Sequence, residues 1–195
     1  MLGEATIARA PPVASAADAP RASWTAALPA FALAALVAGA VLLLAPERFW
    51  PSARLVGLYL VTPLGQEVWL LLAREQFGFG PVYAAGLLLA VNASVCLFFA
   101  LAVPAERLAA RLPFVGRRVA RFEAKVRASR SAERSLALAL AVLVALPIHS
   151  GGAIVGSLAG RLLGLRPPWI VAAVLGAVAL RFAAVLAALY GVSLA

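Results

Sequence analysis

Apolar residues fall along this chain in long blocks of two kinds, uninterrupted and interrupted. Ala26 to Ala45 is a run of 20 residues without a charge, and Pro81 to Val103 is another of 23. At about 1.5 Å per residue, each is long enough to cross the roughly 30 Å hydrocarbon core of a bilayer as one helix. Trp169 to Tyr190 is a third such block, bounded by aromatic residues and carrying a single charge, Arg181. Trp24 and the Phe49-Trp50 pair flank the first block, where aromatic side chains anchor at membrane interfaces. The pattern therefore predicts transmembrane helices over residues 24–45, 81–103 and 169–190.

The interrupted blocks lie between them. Residues 54–75 are apolar in bulk but broken by Thr62-Pro63-Leu64-Gly65-Gln66-Glu67. Residues 135–160 hold no Asp, Glu, Lys or Arg and are broken by Pro147-Ile148-His149-Ser150-Gly151-Gly152. Pro63 and Pro147 each remove a backbone donor, and Gly65, Gly151 and Gly152 weaken the helix beside them. Two half-helices meeting at each break make a re-entrant hairpin; a kinked straight span is the other arrangement the pattern allows. Broken backbone at membrane depth is tolerated where protein buries it or where it lines a wet cavity.

Residues 104–134 differ from both kinds of block. Leu108, Leu112, Val115, Val119, Phe122 and Val126 recur at steps of four and three among arginines. This predicts an amphipathic helix lying in the membrane interface, broken at Pro113 to Gly116. Residues 1–23, rich in Ala, Pro and Ser and without an apolar period, predict a disordered tail rather than a signal peptide.

Composition agrees with the blocks. The chain is 64% hydrophobic and 13% charged, with mean hydropathy +0.98. That is too little charge to cover a water-soluble domain and too much apolar content for disorder. The alternating ten-residue segments of a membrane β-barrel are absent. Cys96 is the single cysteine and His149 the single histidine, so neither a disulfide nor a Cys- or His-built metal site is expected, and no cofactor motif appears. No enzyme constellation is present.

The net charge is +9, and its distribution says more than its sum. Nine of the 17 basic residues lie between Arg107 and Arg134, which marks that segment as cytoplasmic and in contact with lipid headgroups. Nucleic-acid binding would leave the apolar stripe in water. If both broken segments are re-entrant, the cytoplasm also holds Arg9, Arg21, Arg161 and Arg166, against Arg48, Arg54 and Arg74 outside. The N-terminus is then cytoplasmic. Sixteen of the 17 basic residues are arginine, which with the alanine content suggests a GC-rich bacterial genome and hence a bacterial inner membrane.

One leading helix is thus followed twice by a hairpin and a span, the order of an internal repeat whose halves have opposite orientation. The expected fold is an all-α integral membrane protein. It has three full transmembrane helices, two re-entrant hairpins in an inverted repeat, and an interfacial amphipathic helix, in one membrane domain over residues 24–195.

The second break also carries a family resemblance. Ala145-Leu146-Pro147-Ile148-His149-Ser150-Gly151-Gly152-Ala153-Ile154-Val155-Gly156-Ser157-Leu158 resembles the Ala-Ile-Pro-Leu-Pro-Gly-Thr-Gly-Ala-Trp-Thr-Gly-Ala-Leu signature of the small multidrug export proteins. Those proteins look like relatives of the DedA/VTT membrane superfamily. Ala145, Pro147, Gly152, Ala153, Gly156 and Leu158 match; His149, Ser150, Gly151, Ile154 and Val155 depart. In the first half, Glu67 falls where the family has Glu-Leu-Arg-Gly-Ala-Ile-Pro, and Asn92 matches a Gly-Asn pair, but Val68 and Trp69 follow the glutamate here. The resemblance spans roughly residues 55–190 and implies transport of a small molecule or lipid between two opposed hairpins.

Candidate chemistry follows from the polar residues within the apolar blocks. Glu67, with Gln66 beside it, is the only acid between Leu55 and Ala73 or in any other apolar block, and an intramembrane carboxylate faces a cavity or a cation. Its role is substrate or proton coupling, or a structural ion pair. Arg181, close to mid-membrane, either pairs with Glu67 in place of the family's missing arginine or binds a lipid phosphate. His149 either titrates near neutral pH or is a structural hydrogen bonder. Asn92 either bonds between helices or contacts substrate. Gly152, Gly156 and Gly160, spaced every fourth residue, suit close helix packing, and half-helix N-termini near Gly151-Gly152 suit an anion. Partners expected from this set are membrane lipids, a small amphiphilic or phosphate-bearing substrate, and a second copy of the chain. The reading is a transporter; the alternative is a non-transporting membrane scaffold that binds lipids.

Overall fold

The computed structural model describes residues 24–62, 66–103, 130–145 and 152–191. The tail over residues 1–23 and most of the basic segment, residues 104–129, lie outside the described residues, so the interfacial helix expected there does too. Among the described residues there are seven helices and no strand. They are α1 (Trp24–Leu44), α2 (Pro46–Val61), α3 (Gln66–Glu75), α4 (Pro81–Ala102), α5 (Arg130–Ala145), α6 (Gly152–Leu162) and α7 (Pro167–Gly191).

Three of these, α1, α4 and α7, are long and apolar enough to cross a membrane. Large apolar side chains stand on their outer faces: Leu28, Leu36 and Leu43 on α1, Val82 on α4 and Leu180 on α7. In water such a surface would drive association, whereas in a bilayer it is the face turned to lipid.

The boundaries differ from the sequence expectations in two places. The helix before the first break starts at Pro46 rather than near residue 54, because Pro46 needs no amide hydrogen bond at the first position of a helix. Phe49 and Trp50 therefore belong to α2 instead of closing α1. The helix before the second break starts at Arg130, so the last residues of the basic segment belong to α5. Glu133 in its first turn explains this, since an acid there complements the positive end of the helix dipole.

Contacts fix how the elements run. Ser52 Oγ bonds Tyr83 Oη at 2.8 Å, and Tyr59 bonds Asn92, so α2 runs parallel to α4. From the break at residues 63–65, α3 leads back to the start of α4 through a short link. In the second half, Glu133 meets Arg166 and Val144 meets Arg181, so α5 runs parallel to α7. α6 runs back between them, with Gly156 against Val144 and Val174, and Gly160 against Leu140 and Ile170.

The two return links share a design. Gly78 at φ 62° and Gly164 at φ 72° take the left-handed conformation after α3 and α6. Each is followed by a buried apolar residue, Phe79 or Leu165, and then by the proline that opens the next long helix. This is the glycine C-cap with its hydrophobic contact, used twice.

The core joins both halves. Leu55, Leu88, Leu140, Ile170, Val174 and Val178 are buried in one cluster in which α4 packs on α6 and α7. α1 packs mainly on α4, with α2 beside it.

Candidate functional site

The centre of the molecule is polar at a few defined points. Asn92, at the middle of α4, is 2% exposed. Its Nδ2 donates to Leu88 O at 2.8 Å and to Tyr59 Oη at 2.9 Å, and Tyr59 Oη donates to its Oδ1 at 3.1 Å. The reciprocal bonds satisfy an amide that would otherwise be costly in an apolar interior. Tyr59 is the last aromatic residue of α2 before the break. The edge of its ring meets Trp69 of α3 at 5.9 Å between centroids, so one aromatic pair ties the helices on either side of that break.

Trp69 is itself buried, and its indole Nε1 has no hydrogen-bond partner among the described residues. A buried donor without an acceptor costs about 1–3 kcal/mol. Sequence reasoning passed over both Tyr59 and Trp69, because an aromatic residue in an apolar block reads as packing.

The helix after the second break starts at the same depth. Ser157 Oγ donates to Cys96 Sγ at 3.2 Å, and Arg161 Nε donates to Val103 O at 3.3 Å, so α6 runs parallel to α4. Gly152 precedes Ser157 by five residues, about 7.5 Å along a helix, which sets the start of α6 level with Val91 and Asn92. The ends of α2 and the start of α6 thus approach one level of α4.

Arg181 of α7 is 7% exposed, and its Nη1 donates to Val144 O at 3.5 Å. Val144 is in the last turn of α5, where carbonyls lack helical partners and the dipole is negative. Part of the answer to this intramembrane charge is therefore a helix C-terminus beside the second break, a partner that sequence reasoning did not consider.

Glu67 and Gln66 open α3 at its break end, and α3 packs on both α4 and α7. Their side chains lie outside those described, as do Pro63, Gly65, Pro147, His149 and Gly151 entirely. Gly156 and Gly160 are where packing requires them. A Cβ on Gly156 would lie 2.6 Å from Val144 Cγ2, and one on Gly160 2.8 Å from Ile170 Cγ1. Gly152 is buried at the start of the same face.

A second polar cluster sits at the far end of the bundle. Glu133 of α5, 5% exposed, accepts from the Arg166 backbone N at 3.4 Å and lies 3.5 Å from Arg166 Nε. It fixes the start of α5 to the start of α7, and its burial was not anticipated.

Three long apolar helices with buried polar groups midway along two of them are the anatomy of a multi-pass membrane protein. No curated protein and no solved structure matches the chain. Residues 60–190, from the end of α2 through almost all of α7, match the family described as Putative small multi-drug export protein, and the match covers more than half of the sequence. The chain belongs to that family.

Proposed function

We propose that this protein exports small amphiphiles or lipid phosphates across a bacterial inner membrane, at a site between the two helix breaks. The family description points to export by a transporter. The observation that carries the reading is the shared depth of two helix ends that flank the breaks. Tyr59 near the end of α2 and the start of α6 both lie at the level of Asn92, with buried Arg181 against the end of α5.

In this reading the α2–α3 and α5–α6 pairs are re-entrant hairpins entering from opposite faces, an architecture related to the DedA/VTT superfamily. The parallel course of α2 with α4, and of α5 with α7, supports it, because each pair then leaves and returns at one face. The N-terminus is cytoplasmic. Opposed half-helices are a recurring way for transporters to bring helix termini to a substrate at mid-membrane.

Glu67 and Arg181 form the charged pair of the site, since α3 packs on α7 and an intramembrane carboxylate needs a cation or a cavity. Glu67 couples the cycle to protons, and Arg181 holds the substrate anion when Glu67 is protonated. The Trp69 indole N–H, buried and without an acceptor among the described residues, offers the substrate a hydrogen bond. His149 and Gln66 contribute polar contacts at the two breaks, and the half-helix N-terminus near Gly151-Gly152 favours a phosphate.

Reconstituted vesicles with an imposed pH gradient test this. Efflux of a lipophilic dye and of a short-chain lipid phosphate is expected to fall at least about tenfold in Glu67→Gln and in Arg181→Gln. The exchange of Glu67→Arg with Arg181→Glu is expected to recover part of it. A folded double variant Glu67→Leu, Arg181→Met that keeps full efflux would overturn the transport site and leave a lipid-binding scaffold.

A further inference from the structure

On the outer side of the first break, α1, α2 and α4 enclose a groove of about 420 Å³, within the range of small-molecule sites. Val37 and Val41 of α1, Val56 and Leu60 of α2, and Val91 and Val95 of α4 line it. Its two hydroxyls are engaged internally: Ser52 Oγ with Tyr83 Oη at 2.8 Å, and Ser94 Oγ with Ala90 O at 3.0 Å. The walls therefore offer hydrocarbon and no polar partner.

The groove has a direction. On α2 its lining runs from Phe49 to Leu60 and on α4 from Leu87 to Val95, so it ends beside Asn92 at the middle of α4, after about 12 Å along that helix. It therefore occupies the depth of one leaflet. Its outer end carries a positioned cation. The Arg48 guanidinium lies 5.4 Å from the centroid of the Tyr83 ring, and Tyr83 holds Ser52 on the groove wall. Glu47 is 3.7 Å from Arg48, but both side chains are half or more exposed, where such a pair is weak. Two of the three walls, α1 and nearly all of α2, lie outside the residues that match the family.

We propose that this groove binds the alkyl chain of a single-chain anionic amphiphile, with its head on Arg48 and its tail pointing toward the breaks. Apolar walls with a cation fixed at one end complement that chemistry, and a polar or cationic ligand would lose its solvation there without gaining a partner. That the groove also leads this ligand in toward the breaks, as an entry route, rests on the export reading; the binding itself does not.

Titration of dodecyl phosphate into the full chain, held in phosphatidylcholine nanodiscs, tests it. Gly57 lines the groove, and a Cβ there meets nothing within 4 Å, so Gly57→Leu fills the space without a backbone clash. Gly86 is equally open but does not line the groove, so Gly86→Leu is the matched control. Saturable binding is expected to weaken at least about tenfold in Gly57→Leu, and in Ala38→Leu from the opposite wall, while Gly86→Leu binds as the unmodified chain. Arg48→Gln is expected to weaken dodecyl phosphate binding and leave dodecanol binding unchanged, and inorganic phosphate is not expected to compete.

Unchanged affinity in both filled variants, or no saturable binding to the unmodified chain because bulk lipid keeps the groove, overturns the proposal. Normal probe binding without efflux from vesicles sinks the export reading alone. Undiminished efflux of dodecyl phosphate with the groove filled sinks the entry route alone.

Discussion

Single residues carry the packing of the second half to an unusual degree. Gly156 and Gly160 let α6 lie directly against α5 and α7, so that valine and isoleucine side chains fill the place of a missing Cβ. Lipid gives helices no hydrophobic reason to associate, and such close approach is what holds them together. Gly156→Ala is therefore expected to lower stability by about 1–3 kcal/mol, through the clash with Val144 and Val174. Gly39→Ala on α1, where a Cβ would meet open space, is expected to be neutral or to gain up to about 1 kcal/mol from helix propensity. Parallel thermal melts of the two variants in one detergent check this, and equal losses would show that the clash is relieved by side-chain movement. The fourfold glycine spacing made the packing role legible in the sequence. The partners were not, because spacing names a face and not what lies against it.

At the scale of elements, the long helices and the positions of both breaks are readable from uncharged runs and from proline beside glycine. The link chemistry was equally present but went unread. Gly78-Phe79-Gly80-Pro81 and Gly164-Leu165-Arg166-Pro167 are one turn used twice, each with a left-handed glycine and a buried apolar residue before a helix-opening proline. Four residues with two identities are too short to stand out as a repeat without the backbone angles. Gly78→Ala and Gly164→Ala are each expected to cost about 1–2 kcal/mol, because a side chain strains that left-handed conformation whatever lies around it. Glu133 escaped notice for a different reason: within a basic segment, one acid reads as a solvated counter-charge. Its burial against Arg166 predicts that Glu133→Gln destabilises the chain by about 1–3 kcal/mol, with most of that loss absent when Arg166 is already glutamine. A double-mutant cycle measures the coupling, and additive losses would show that the two groups act separately.

Across the whole molecule, the order of parallel and antiparallel contacts constrains how the chain meets the membrane. α2 starts beside the start of α4, and α5 starts beside the start of α7. α4 and α7 themselves run in opposite directions, since α6 is parallel to α4 and antiparallel to α7. If α4 and α7 span the bilayer, the hairpin of each half must enter from the face at which its long helix begins, and those faces differ. On the proposed reading charge distribution then assigns them: the second hairpin would open toward the basic segment and the cytoplasm, the first toward Arg48, Arg54 and Arg74 outside. Leu64→Cys and Ser150→Cys, each in a Cys96→Ala background, report on this directly. Impermeant maleimide is expected to reach residue 64 from outside only and residue 150 from the cytoplasm only. Cys96 is buried, so its removal leaves the surface unchanged. Labelling of both positions from one side would mean that the halves share an orientation. The two breaks would then open to one compartment, and a central site alternately exposed to both would lose its structural basis.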